Sequence, residues 1–158
     1  MSGFGISPRF NHIAIQTDDL DSTISWYEAF LGVTVEWSLD SFSPLTRHRL
    51  PGIRKLVELK IGDLRIHVFD RADHSREGPR PLDYQFQHVG ISVESSEDLV
   101  RLRERWFLAR ERIDVRWNRP DPPSDIVTDA DGVSSLYLLD PNGLELEFLY
   151  PGEGLAHE

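Results

Sequence analysis

Alternation of apolar and polar residues runs through most of the chain, and two longer amphipathic segments interrupt it. Alternation with a period of two is typical of strands with one buried face, whereas the longer segments have the spacing of helices. The predicted strands cover residues 10–16, 33–37, 55–60, 64–69, 86–91, 113–117, 134–139 and 144–150. The predicted helices cover residues 21–31 and 96–109. Strands therefore dominate the chain, with one helix after the first strand of each half.

The two halves of the chain repeat one pattern. The first predicted strand of each half reads FNHIAI at residues 10–15 and FQHVGI at residues 86–91. The pattern predicts two β-α-β-β-β modules, residues 9–70 and 85–151, within a single domain that spans residues 1–158. A charged linker with glycine and prolines, residues 71–84, joins them. The predicted fold class is α+β, with two curved sheets side by side and the helices outside.

Turn-forming residues set the boundaries of these elements. Asp21 is the expected N-cap of the first helix, and Gly32 its C-terminal stop. The dipeptide at residues 62–63, Gly-Asp, predicts a hairpin between two strands. Residues 38–53 are predicted to be a loop because they contain Pro44, Pro51 and Gly52, and residues 118–125 because they contain three prolines.

Composition excludes several classes of function. The 158 residues include 17 basic and 27 acidic residues, a net charge of −10, which disfavours binding to nucleic acid or to anionic membranes. The chain has no cysteine, so disulfides, thiolate ligands and a cysteine nucleophile are excluded. No apolar run has the roughly 20 residues that a membrane span needs, and residues 1–8 do not resemble a signal peptide. A cytoplasmic protein is expected.

Four ionisable residues occupy matching places in the two modules. His12 and His88 lie in the first strand of each module, and His67 and Glu147 lie in the last. Alternation places each of them on the polar face of its strand, so the four side chains meet if the sheets curl around a cleft. Imidazole and carboxylate ligands suit Fe²⁺, Mn²⁺, Ni²⁺, Co²⁺ or Zn²⁺, and one such ion is the predicted cofactor. His67 is either a ligand or an acid–base group.

Other residues carry weaker signals. Arg47 and His48 lie beside Arg49 in the predicted loop 38–53, where they could bind an anionic substrate or simply be solvated. Glu145 shares a strand face with Glu147 and could act as a base, although an exposed edge carboxylate is the preferred interpretation.

These segments resemble the vicinal oxygen chelate superfamily, which includes glyoxalase I, methylmalonyl-CoA epimerase, extradiol dioxygenases and drug-binding resistance proteins. The resemblance covers about residues 9–151, and its carriers are the segments 12–15, 26–32, 88–91 and 137–147. It implies the glyoxalase/bleomycin resistance/dihydroxybiphenyl dioxygenase fold, in which paired modules form an open β-cup around a divalent metal. It also implies three metal ligands, His12, His88 and Glu147, with His67 as an optional fourth.

The resemblance also bears on the reaction. Tyr137 matches an active-site tyrosine of the superfamily, so the expected catalytic groups are His67, Tyr137 and Glu147. Residues 128–132 lack the additional histidine of extradiol dioxygenases, which favours a glyoxalase-like or epimerase-like isomerase or lyase acting on a small vicinally oxygenated substrate. An Fe²⁺-dependent ring-cleavage dioxygenase and a drug-binding protein are the alternatives. A homodimer is expected, as in similar families.

Overall fold

Residues 8–73, 75, 82 and 85–152 are described by the computed structural model. The first half of the chain contains β1 (Ile13–Thr17), α1 (Leu20–Leu31), β2 (Thr34–Leu39), α2 (Pro44–Arg49), β3 (Ile53–Ile61) and β4 (Leu64–Arg71). The second half contains β5 (Val89–Ser92), α3 (Ser96–Arg112), β6 (Val127–Thr128), β7 (Ser134–Leu139) and β8 (Glu145–Tyr150). None of the helices described is long and apolar enough to cross a bilayer.

Each half of the chain builds its own four-stranded mixed sheet. The strand orders are β1-β4-β3-β2 and β5-β8-β7-β6, which are the same order in the two modules. The first strand of each sheet is parallel to its neighbour, and the other pairs are antiparallel. The predicted α+β fold class, with two repeated modules, is confirmed. Much of the predicted linker 71–84, including His74, lies outside the described residues, as does His157.

The loop predicted for residues 38–53 was partly wrong, because it contains helix α2. Ser43 caps this helix, and its side-chain oxygen accepts a hydrogen bond from the Thr46 amide at 3.1 Å. Pro44 occupies the first turn of the helix. Backbone N–H groups have no partner within the helix there, so the missing N–H of proline costs nothing, and its fixed φ is already helical. The proline that predicted a break therefore begins a helix.

The strand predicted for residues 113–117 was also wrong. Ile113, Val115 and Trp117 pack against the core in alternation, but they form no strand, and the short β6 completes the sheet instead. Alternation in the sequence here reflects alternate burial of side chains without a hydrogen-bonded ladder. Asp19, not Asp21, caps α1, because its side chain accepts from the Ser22 amide at 3.2 Å.

The two modules share one hydrophobic core. Helices α1 and α3 pack against each other, and each also contacts its own sheet. Phe30 of α1 and Phe148 of β8 meet edge to face, with ring centroids 6.0 Å apart. The buried residues of β4 and β8 are Ile66, Val68, Leu146 and Phe148. The alternate residues of both strands therefore belong to the opposite, polar sheet faces, as the sequence predicts.

Replacing Gly52 with alanine should destabilise the turn between α2 and β3. Gly52 has a φ of 81°, and an added Cβ would lie 2.5 Å from the carbonyl oxygen of Ala72. Gly62→Ala is a matched control, because Gly62 also has a positive φ but no atom lies within 4 Å of the added Cβ. We expect a loss of about 1 kcal/mol for Gly62→Ala and roughly 2–4 kcal/mol for Gly52→Ala in urea unfolding. Equal losses in the two variants would contradict the steric explanation.

Candidate functional site

The first group of polar residues lies on the open face of the first sheet. His12 directly precedes β1, and its ring stacks on that of His67 in β4, with centroids 3.6 Å apart. Glu58 of β3 lies directly opposite His67 in the ladder, and its Oε2 accepts a hydrogen bond from His67 Nε2 at 2.9 Å. We call His12, Glu58 and His67 the first half-site. Trp37 of β2 adds an edge-to-face contact with His67 at 5.1 Å.

The charges of the first half-site are coupled. The hydrogen bond from His67 lowers the pKa of Glu58, and Arg65 at 3.9 Å acts in the same direction, although burial opposes both. Glu58 therefore stays ionised in a place where its side chain is only 5% exposed. Burial and the neighbouring His67 lower the pKa of His12, which favours its neutral ring. A neutral imidazole is the form that binds metals or accepts protons.

The second group lies on the open face of the second sheet. His88 directly precedes β5, and its Nε2 lies 3.0 Å from Oε2 of Glu147 in β8. Oε1 of Glu147 accepts two further hydrogen bonds, from the Tyr137 hydroxyl at 2.7 Å and from the Ser135 hydroxyl at 3.0 Å. We call His88, Tyr137 and Glu147 the second half-site. The hydrogen bond to Glu147 is the main reason that the pKa of Tyr137 is raised, so this phenol stays protonated near neutral pH.

The registers of the two sheets show that the half-sites are equivalent. Ala14 is paired with His67 in the first sheet, and Gly90 is paired with Glu147 in the second. Both partners are small; an added Cβ at Gly90 would lie 3.7 Å from Glu147 Oε2. The third strands continue the equivalence, because Glu58 faces His67 as Tyr137 faces Glu147.

Glu58 is the residue that the sequence interpretation missed. A signal was present, because a two-residue hairpin at residues 62–63 fixes the register of β3 against β4. That register pairs residue 61 with residue 64, and hence Glu58 with His67. An acidic residue in an otherwise apolar stretch, directly across from a histidine, was therefore recognisable as its partner.

The four predicted metal ligands come together only in pairs. His12 contacts His67 in the first half-site, and His88 contacts Glu147 in the second. Among the residues that the structure describes, no group of three or more histidine, aspartate or glutamate side chains could hold a metal ion. The nitrogen and oxygen donors suit a first-row divalent ion, but one chain does not gather them into one site. A metal centre made of all four residues stays a prediction.

Exposed aromatic side chains lie near both half-sites, either along the chain or in direct contact. Phe10 and Phe86, two residues before the paired histidines, are 73% and 78% exposed. Trp37 beside the first half-site and Tyr137 in the second are also exposed. Apolar surface that borders a polar site is typical of a face that a ligand or another protein chain covers.

The two residues expected to bind substrate, Arg47 and His48, lie on α2. A cavity of about 460 Å³ opens beside His12, and Arg49 lines it, whereas Arg47 and His48 do not. Arg47 Nε donates instead to the carbonyl oxygen of Phe42 at 3.4 Å, and His48 is exposed. Glu145 lies 3.6 Å from Nδ1 of His88, so this carboxylate is near the second half-site.

Comparison with known proteins connects this fold to one family. The sequence profile described as Glyoxalase/Bleomycin resistance protein/Dioxygenase superfamily matches residues 9–148. Among proteins with curated descriptions, none matches the sequence significantly.

Several solved structures share the fold along nearly their whole length. A glyoxylase/bleomycin resistance protein/dioxygenase domain from Frankia sp. EAN1pec has a TM-score of 0.72 at 18% identity, covering 96% of this chain and 98% of its own. A glyoxalase family protein from Enterococcus faecalis has a TM-score of 0.60 at 19% identity, with coverages of 89% and 96%. A lactoylglutathione lyase from Agrobacterium tumefaciens has a TM-score of 0.55 at 23% identity, with coverages of 91% and 94%. At these identities the likeness establishes the fold alone.

Proposed function

This chain belongs to the Glyoxalase/Bleomycin resistance protein/Dioxygenase superfamily, and we propose that it is a divalent-metal-dependent isomerase or lyase. Its substrate would be a small molecule with two neighbouring oxygen atoms. The observation that carries the proposal is the repeat of one polar arrangement in both modules, a histidine before the first strand and an ionisable partner in the last. A repeated arrangement of this kind has no role in the shared hydrophobic core, because all four side chains lie outside that core.

The proposal includes a homodimer in which the site forms between two chains. Each half-site supplies two predicted ligands, and within one chain no further histidine or carboxylate of the described residues completes a metal group. The first half-site of one chain, placed against the second half-site of its partner, would supply His12, His67, His88 and Glu147 together. The exposed Phe10 and Phe86 would then be covered at the same time.

The residues of the chain have distinct parts in this mechanism. A divalent ion, when bound, stabilises negative charge that develops on substrate oxygens. Because the ionised Glu58 accepts from Nε2 of His67, the proton of a neutral His67 ring lies on Nε2, and Nδ1 of that form has the free electron pair. Nδ1 is then the atom that binds the ion or takes up a substrate proton. Tyr137 and Ser135 hold the Glu147 carboxylate in one orientation.

The partner molecules would be a small substrate and a second copy of the chain, without nucleic acid or membrane, in agreement with the net charge of −10. A cytoplasmic location agrees with the complete lack of cysteine.

A drug-binding protein is the second candidate function. The cavity beside His12 favours it, because five large apolar side chains line that cavity, namely Leu39, Phe42, Leu50, Leu56 and Phe69. Such a wall suits an aromatic molecule without any metal. Metal content separates the two candidates.

Purified protein should contain about one divalent ion per chain, and His88→Ala and Glu147→Ala should each lose most of it. The measurement is elemental mass spectrometry after dialysis, with His48→Ala as the control histidine, which lies on α2 outside both half-sites. Nickel, cobalt, manganese or zinc would support the isomerase or lyase, whereas iron would direct tests to oxygen uptake with catechol-like substrates. A wild-type protein that binds no metal even after reconstitution would overturn the enzyme proposal in favour of drug binding.

A further inference from the structure

The cavity beside His12 lies between helix α2 and the open face of the first sheet. Its floor comes from β1, β3 and β4, and its cover comes from α2 and the segment before it. The lining residues fall into two groups, an apolar wall of leucine and phenylalanine and a few polar side chains, His12, Gln16, Thr46 and Arg49. The volume of about 460 Å³ is within the usual range of small-molecule sites, roughly 300–1,000 Å³.

The apolar wall of this cavity is contributed by several elements. Leu56 of β3 is buried, and Phe69 of β4 is partly buried beside it. Leu39 is the last residue of β2 and is 43% exposed, whereas Phe42 and Leu50 flank α2. A partly exposed apolar wall in a concave site gains free energy when an apolar ligand body covers it.

Arg49 is the residue of the cavity lining that carries a permanent charge. None of the other lining residues carries a fixed charge, and the guanidinium of Arg49 has no hydrogen bond or ion pair with the residues that the structure describes. By contrast, Arg47 on the same helix is held by the Phe42 carbonyl, and Arg54 on the next strand pairs with Asp70. In a chain with a net charge of −10, an unpaired guanidinium at a cavity is a local site for an anion.

We propose that this cavity binds a small amphipathic carboxylic acid, with its apolar body against the leucines and phenylalanines and its carboxylate on Arg49. A planar guanidinium matches the two oxygens of a carboxylate. The inference rests on the proposed function, because His12 of the first half-site lines the same cavity. It adds the substrate class: an acid whose anionic group is separate from the pair of oxygens that would face the half-site residues.

The test compares two probes that have the same phenyl group and chain length but differ in charge. 4-Phenylbutyrate and 4-phenylbutan-1-ol are titrated into metal-free protein by calorimetry, so that the result does not depend on whether the chain binds a metal. We expect the acid to bind about tenfold more tightly than the alcohol, because charge-assisted hydrogen bonds between the carboxylate and Arg49 add a free energy of that size. Arg49→Ala should remove this preference, whereas Lys55→Ala, which removes an exposed cation of β3 outside the cavity, should keep it.

A second variant tests the place of the apolar body. Phe42→Ala should weaken the acid and the alcohol by the same factor, because both probes have the same phenyl group. Equal affinities of the two probes for the wild-type protein, an acid preference that survives in Arg49→Ala, or no saturable binding of either probe would overturn the inference. None of these results changes the metal content, so a failure here is distinct from a failure of the proposed enzyme.

Discussion

A mixed dimer of two variants that each lack one half-site should recover about half of the wild-type metal content, because one of its two sites is intact. The first variant, His12→Ala with His67→Ala, lacks the first half-site ligands. The second, His88→Ala with Glu147→Ala, lacks those of the second half-site. Each variant alone should bind almost no metal. Co-expression with two different affinity tags allows the mixed dimer to be purified and analysed by elemental mass spectrometry.

The expected recovery follows from the placement of the half-sites. In a mixed dimer, the first half-site of one chain and the second half-site of its partner are both wild type, and together they form one complete group of ligands. A site formed within one chain would never recover in this experiment, because each chain lacks half of its ligands. The mixed dimer of two differently tagged copies of the first variant is the control, and it should stay without metal. A mixed dimer of the two different variants without metal would contradict the shared site.

The second large effect is expected at Asp140, in the turn between β7 and β8. Asp140 is fully buried; one oxygen accepts from the Tyr27 hydroxyl of α1 at 2.8 Å and the other from the Leu144 amide at 2.7 Å. This carboxyl group therefore connects the helix of one module with the turn of the other. Asp140→Ala should reduce the free energy of unfolding by roughly 2 kcal/mol at pH 7, because both donors lose their acceptor.

The cost of Asp140→Ala should increase as the pH falls. Burial raises the pKa of Asp140 from 3.8 to about 6, so between these pH values the folded protein binds a proton that the unfolded chain does not. Folding is then favoured at the lower pH, and the raised pKa corresponds to a contribution of up to about 3 kcal/mol. The difference between wild type and Asp140→Ala in urea unfolding should widen accordingly from pH 7 to pH 4.

Asp129→Ala is the matched control for this experiment. Asp129 also accepts backbone hydrogen bonds in a turn, from Asp131 and Val133 at 3.0 Å each, but it is exposed. Its replacement should cost about 1 kcal/mol or less. A stability difference between wild type and Asp140→Ala that stays constant from pH 7 to pH 4 would show that the buried carboxyl group does not bind the additional proton.

The repeat was the most informative feature of the sequence, because repeated strands with period-two alternation fix which side chains share a face. Alternation placed His67 and Glu147 opposite the buried Ile66 and Leu146, and the structure has them there. The same rule failed for residues 113–117, since alternate burial occurs without a strand. Short helices are similarly hard to predict: α2 begins at Pro44, and a proline is as compatible with a helix start as with a loop.

The sequence by itself determined the α+β class, the two modules and the polar face of each sheet, because these depend on local periodicity. It also contained the register that pairs Glu58 with His67, because a two-residue hairpin sets that register locally. Only the tertiary structure decided that His12 joins His67 while His88 joins Glu147, and that Arg49 rather than Arg47 lines the cavity. The two histidine contacts depend on the parallel pairing of β1 with β4 and of β5 with β8, and the lining of the cavity depends on how α2 lies against the first sheet. Contacts between residues distant in sequence leave no periodic signal in the chain.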